Sequence, residues 1–128
     1  MIRSILVLVL FSGCVEEKMC TDLAAASALV HVVGPDGSPL VATVTAVDAD
    51  GNDVDVSCAD GSDGTTCTDW IVGYEVEGEI VVTADAYDGC NDGTGSVTVD
   101  VPLDEDGCHV VQQEATLSVD EWTDLDCG

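Results

Sequence analysis

The chain has 128 residues, with 26 Asp+Glu against 2 Lys+Arg, and 7 Cys. Its length suits one ordinary domain. The formal net charge of −24 excludes nucleic-acid binding, which needs clustered Lys and Arg, and charge-driven docking onto anionic lipid headgroups. Disorder is excluded as well, because 46% of the residues are hydrophobic and a chain this apolar can build a core. Seven cysteines are heavy usage for a cytosolic protein and ordinary for an exported one.

Met1-Ile2-Arg3-Ser4 carries the only arginine, and the apolar run Ile5-Leu6-Val7-Leu8-Val9-Leu10-Phe11 follows it. A basic start, a short apolar stretch and small residues make an export signal. The run is far short of the ~20 residues that span a bilayer as a helix. Its ending, Phe11-Ser12-Gly13-Cys14, resembles the bacterial lipobox, with Phe11 where the family usually has Leu. The resemblance implies a signal over residues 1–13, cleavage before Cys14, and acyl chains (palmitate among them) on Cys14. Membrane attachment then rests on buried methylenes, about 0.8 kcal/mol each. Val15 stands where an inner-membrane retention signal would place Asp, so the expected location is the bacterial envelope, at the outer membrane.

Residues 14–26 read as a tether. From residue 27 the pattern changes to short period-two runs separated by turn residues, the signature of an all-β domain over 27–128. The first strand is expected at 28–33. Gly34-Pro35-Asp36-Gly37-Ser38-Pro39 is a turn, since Pro presets φ and Gly accepts positive φ. Residues 40–47 form the next strand, with Leu40, Ala42, Val44 and Ala46 sharing one face. Residues 48–64 are loop-rich around a short extended piece at 54–57. Residues 69–76 and 79–87 suggest a hairpin joined at Glu77-Gly78. Val97, Val99 and Val101 mark a half-buried strand. The last strand lies within 109–119, with Val111, Ala115, Leu117 and Val119 on one parity. Strands of this number and spacing predict a single antiparallel β-sandwich of about seven strands.

The segment Val30-His31-Val32-Val33-Gly34-Pro35-Asp36-Gly37-Ser38-Pro39-Leu40-Val41-Ala42-Thr43-Val44 resembles the opening of carboxypeptidase regulatory-like domains. Glu77-Gly78-Glu79-Ile80-Val81-Val82-Thr83-Ala84-Asp85-Ala86-Tyr87 is similar to a later segment of that family, with Ile80 in place of an aromatic and Ala86 in place of Gly. The resemblance implies a transthyretin-like or Ig-like sandwich acting as an accessory or structural module. Fold alone does not fix function.

Setting Cys14 aside leaves Cys20, Cys58, Cys67, Cys90, Cys108 and Cys127. Their spacing matches no zinc template, and an even number in an exported domain reads as three disulfides, for which 15 pairings exist. The preferred set is Cys58–Cys67, closing a Gly- and Asp-rich loop, Cys90–Cys108, bracketing one strand, and Cys20–Cys127, tying the ends.

Asp48, Asp50, Asn52, Asp53 and Asp55 form the densest run of oxygen ligands and are the calcium candidates. The EF-hand order is not met, because Gly51 comes too early and no bidentate Glu follows. Asp, Asn and Gly are equally what tight turns are made of. His31 and His109 are the only histidines, and no serine lies in a G-x-S-x-G context. The expected function is a non-catalytic, lipid-anchored envelope module serving a structural, binding or adhesive role. Its membrane contact runs through the anchor, its protein or glycan partner is open, and no cofactor is expected apart from calcium. The alternatives are a calcium-dependent adhesion domain and a hydrolase built on paired carboxylates or a His–carboxylate pair.

Overall fold

Alternation of β-branched with polar residues makes strands here, since successive side chains of an extended chain point to opposite faces. A computed structural model describes residues 23–61, 66–87 and 91–124. Eight strands follow in order: β1 (Ala26–Val33), β2 (Thr43–Asp48), β3 (Val56–Cys58), β4 (Asp69–Tyr74), β5 (Gly78–Tyr87), β6 (Asn91–Val101), β7 (Gln113–Ser118) and β8 (Glu121–Asp124). They form two four-stranded sheets, ordered β3-β4-β1-β7 and β2-β5-β6-β8. The fold is thus the all-β sandwich expected from the sequence, with eight strands in place of about seven. One ladder is not antiparallel. β1 and β7 run parallel, from Ala28 opposite Gln113 to Val33 opposite Ser118, because the excursion over residues 102–112 returns the chain to the end where β1 starts.

The core lies between the sheets and is made of small side chains. One sheet supplies Ala28, Val30, Val32, Trp70, Val72 and Leu117, and the other Val44, Ala46, Ile80, Val82, Ala84, Val99 and Val101. Burying each of the larger aliphatic side chains stabilises by roughly 1.5–3 kcal/mol. Among the described residues Trp70 is the one enclosed aromatic, 3% exposed, and its indole donates to the Cys67 carbonyl at 3.1 Å. The buried Ser27 hydroxyl accepts from the Val76 amide at 2.8 Å, so this polar group is satisfied inside the fold.

Two boundaries differ from the sequence reading. β4 and β5 do not form a hairpin. β4 pairs with β1 and β3, whereas β5 pairs with β2 and β6. The intervening segment crosses between sheets, helped by positive φ at Gly73 (73°), Glu75 (56°) and Gly78 (96°). Inward alternation alone cannot distinguish the two outcomes, because a strand shows the same period in either sheet. In the last region Val110 is buried and Val111 is 42% exposed. The parity read for Val111 therefore fails, while Leu117 and Val119 are fully buried.

β6 begins six residues before the predicted valines, within a stretch whose Asp-Gly-Thr-Gly composition reads as a turn. Close approach explains those glycines. A Cβ on Gly93 would lie 2.7 Å from the Trp122 ring, which covers the glycine from the paired position on β8. A Cβ on Gly95 would collide with the carbonyl oxygen of Ser118, where β6 and β7 meet across the two sheets. That neighbour is backbone and cannot swing away. Gly95→Ala is therefore expected to destabilise the domain by about 1–3 kcal/mol, read as a lower urea midpoint with an unchanged slope.

Candidate functional site

His31 sits on the outer face of β1, directly opposite Asp69 on β4. Glu114 on β7 is paired with Leu29, one outward position away from His31. The register therefore brings two carboxylates to one imidazole from flanking strands. Nδ1 lies 2.8 Å from Asp69 Oδ1, and Nε2 lies 2.6 Å from Glu114 Oε2. Hydrogen bonds first to Asp69 and then to Glu114 raise the His31 pKa above its ordinary 6.5. An imidazole donating from both nitrogens is an imidazolium. In its protonated form His31 is an ion-paired link between Asp69 of β4 and Glu114 of β7.

His109 belongs to a second cluster, in the loop before β7 rather than at a strand start. It pairs with Glu75, whose other carboxylate oxygen accepts from the Val110 amide at 3.0 Å. The Glu75 oxygen facing His109 also accepts from the Ala25 amide at 2.8 Å, and the Glu75 amide donates to the Ala25 carbonyl at 2.9 Å. These bonds, the one from Ala25 foremost and then that from His109, hold the carboxyl below its usual range. One side chain thus ties the start of β1, the β4–β5 crossover and the loop before β7. Sequence reasoning missed Glu75 because it lies inside the stretch 69–76 read as a plain strand, where a charged residue is simply an outward position.

The acidic run at 48–55 folds as a turn. Asp48 Oδ1 accepts from the amides of Asp50 and Asn52, each at 2.9 Å, and Gly51 has φ 86°. Among the described residues, no three carboxylates of the run Asp48, Asp50, Asp53 and Asp55 bring oxygens within 4.8 Å of one another. Asp36 plays the same turn-forming part for Ser38, at 3.0 Å. Cys58, Asp60 and Cys67 do converge, but both sulfurs are consumed in a disulfide and cannot act as thiolate ligands.

The Cys58–Cys67 bridge read from the sequence is present, with a Cα–Cα distance of 5.8 Å, inside the usual range. Cys108 is also disulfide-bonded. The cysteines assigned to the other bridges, Cys90, Cys20 and Cys127, lie outside the described residues, as does Cys14. Comparison with protein families, curated proteins and solved structures finds no match. What can be said of the chain therefore rests on its own residues.

Replacing both Cys58 and Cys67 by Ala is expected to cost about 2–3 kcal/mol through the freed loop, measured by denaturant unfolding against the oxidised parent. For His31, a folded pKa raised above 6.5 means the ion pairs contribute fully below that pH. The contribution is lost as pH rises through the higher folded value. A proton NMR titration is expected to place the His31 midpoint above 6.5, and unfolding is expected to lose this pH slope in His31→Gln.

Proposed function

We propose that the chain is a lipid-anchored protein of the bacterial envelope whose β-sandwich is a non-catalytic binding, adhesive or structural module. The observation that carries this reading is Phe11-Ser12-Gly13-Cys14 directly after an apolar run and a basic start. The distribution of cysteines supports it. Removing Cys14 leaves an even number, of which Cys58, Cys67 and Cys108 are disulfide-bonded, as suits an oxidising compartment. On this reading residues 14–26 are the tether that joins Cys14 to the domain whose first strand starts at Ala26. Val15 favours the outer membrane, as the lipobox resemblance implies.

The resemblance to carboxypeptidase regulatory-like domains fits a module of this kind. Its turn residues 34–39 close on themselves, with the Gly34 amide donating to Ser38 at 2.9 Å, and its later segment forms β5. In the processed chain Lys18 is the only Lys or Arg, so the domain is repelled from an anionic leaflet. Acyl chains hold it there instead.

Metabolic labelling with palmitate and intact-mass measurement test the anchor. Wild-type protein is expected to carry the label and the added acyl mass. Cys14→Ala is expected to lose both and to leave the membrane fraction. Label retained in Cys14→Ala would overturn the assignment.

A further inference from the structure

Where β6 and β7 meet, the sandwich holds a cleft of about 460 Å³, within the roughly 300–1,000 Å³ of small-molecule sites. β8 pairs with β6 only from Asn91 to Thr94, so the remainder of β6 runs beside β7 without a strand between them. Gly95 lets the two backbones touch at one end. Hydroxyls from three strands line the opening: Thr83 of β5, Thr94 and Ser96 of β6, and Thr116 and Ser118 of β7. Asp120 and Glu121 close it at the turn into β8.

The hydrogen-bonding capacity of this cleft is unspent. Asp36, Asp48, Asp69, Glu75, Asp104 and Glu114 each bind a group of the protein itself. Asp120, Glu121 and the five hydroxyls bind no other side chain or amide among the described residues. Ordinary ligand sites are mostly apolar, and the lining of this one is mostly polar. It therefore suits a ligand that offers many hydroxyls of its own, since Ser and Thr both donate and accept. The two carboxylates, with no basic side chain in the lining, reject anions and favour a cation, and a cleft concentrates that preference. Five hydroxyls to two carboxylates favour a polyol bearing ammonium over a bare polyamine.

We propose that the β6–β7 cleft binds an amino sugar, with Asp120 and Glu121 holding its ammonium and Thr94, Ser96, Thr116 and Ser118 its hydroxyls. This deepens the binding half of the proposed function and is independent of the anchor, which is read by mass and not by titration.

The test is calorimetric titration of the full chain in neutral detergent micelles with a glucosamine tetramer. Its N-acetylated counterpart and spermine serve as the uncharged and hydroxyl-free arms. The glucosamine tetramer is expected to bind at least about tenfold more tightly than either, the loss associated with one charge-assisted hydrogen bond. Asp120→Asn with Glu121→Gln is expected to weaken it by a further tenfold or more, and Ser96→Ala with Thr116→Val by severalfold. The outer-face control Asp100→Asn is expected to leave it unchanged. Amide shifts of the wild-type protein, which do not depend on any variant folding, are expected to localise to residues 94–96 and 116–121. Absence of binding heat overturns the proposal. So does spermine binding equally well, equal loss in Asp100→Asn, or shifts spread over the acidic surface, each of which indicates bulk charge attraction alone.

Discussion

The two sheets are held together by side chains too small to keep them apart. Among the described residues, valine and alanine make most of the core, with Ile80, Leu117 and Trp70 as its larger buried side chains and Trp122 packed against it. Face-to-face sheets ordinarily stand about 10 Å apart, and small residues draw them closer at the margins. At the β6–β7 margin the approach is so close that only glycine fits at position 95. Within the β2-β5-β6-β8 sheet, Trp122 of β8 covers its cross-strand partner Gly93 of β6, so that an aromatic ring fills the space above the glycine. A core of this kind yields little stabilisation per residue, and covalent bridges make up part of the difference. Cys58–Cys67 ties the end of β3 to the bridge at Ala42, and hence one sheet to the other.

Much of the sandwich is legible in the sequence because its strands obey period two. Val30 and Val32, Val44 and Ala46, Ile80 and Val82, and Val99 and Val101 all face the core as their alternation requires. The failures arise where one residue serves two physical ends. Glycine in Asp92-Gly93-Thr94-Gly95 means a turn when local conformation decides and a strand when a neighbour's approach decides. Only the tertiary partners Trp122 and Ser118 reveal the second case. Glu75 is similar. As a charged residue at positive φ (56°) it violates local preference, and the bonds its carboxylate accepts from Ala25, Val110 and His109 explain why it is held there. The His31 cluster was equally hidden, because Asp69 and Glu114 are distant in sequence and meet only through the antiparallel and parallel ladders on either side of β1.

The charge imbalance acquires structure once the acids are sorted by what they touch. Some are turn formers, with Asp36 and Asp48 spending an oxygen on amides two to four residues ahead. Others are cross-links, with Asp69 and Glu114 clamping His31 and Glu75 binding His109. Apart from Arg3 and Lys18, the histidines are the only side chains able to carry positive charge, and both are held this way. That arrangement links β1 to β4 and β7 through His31, and the β4–β5 crossover to the loop before β7 through His109. It also removes the fold's internal cations from competition for the remaining carboxylates.

Those remaining carboxylates set what the surface can attract. At physiological salt, exposed charges are screened beyond about 8 Å, so the domain's field acts on whatever is already close. On the proposed lipid anchor the domain is held close to a membrane, and like charge orients it outward. Residues 34–39, 59–61 and 119–121 lie at the end of the sandwich away from Ala26, as the β1, β4 and β6 ladders require. The opening between β6 and β7, with Asp120 and Glu121 at its rim, is on that distal side. With the proposed anchor at the Ala26 end, the polar groups gathered towards the other end would face away from the lipid.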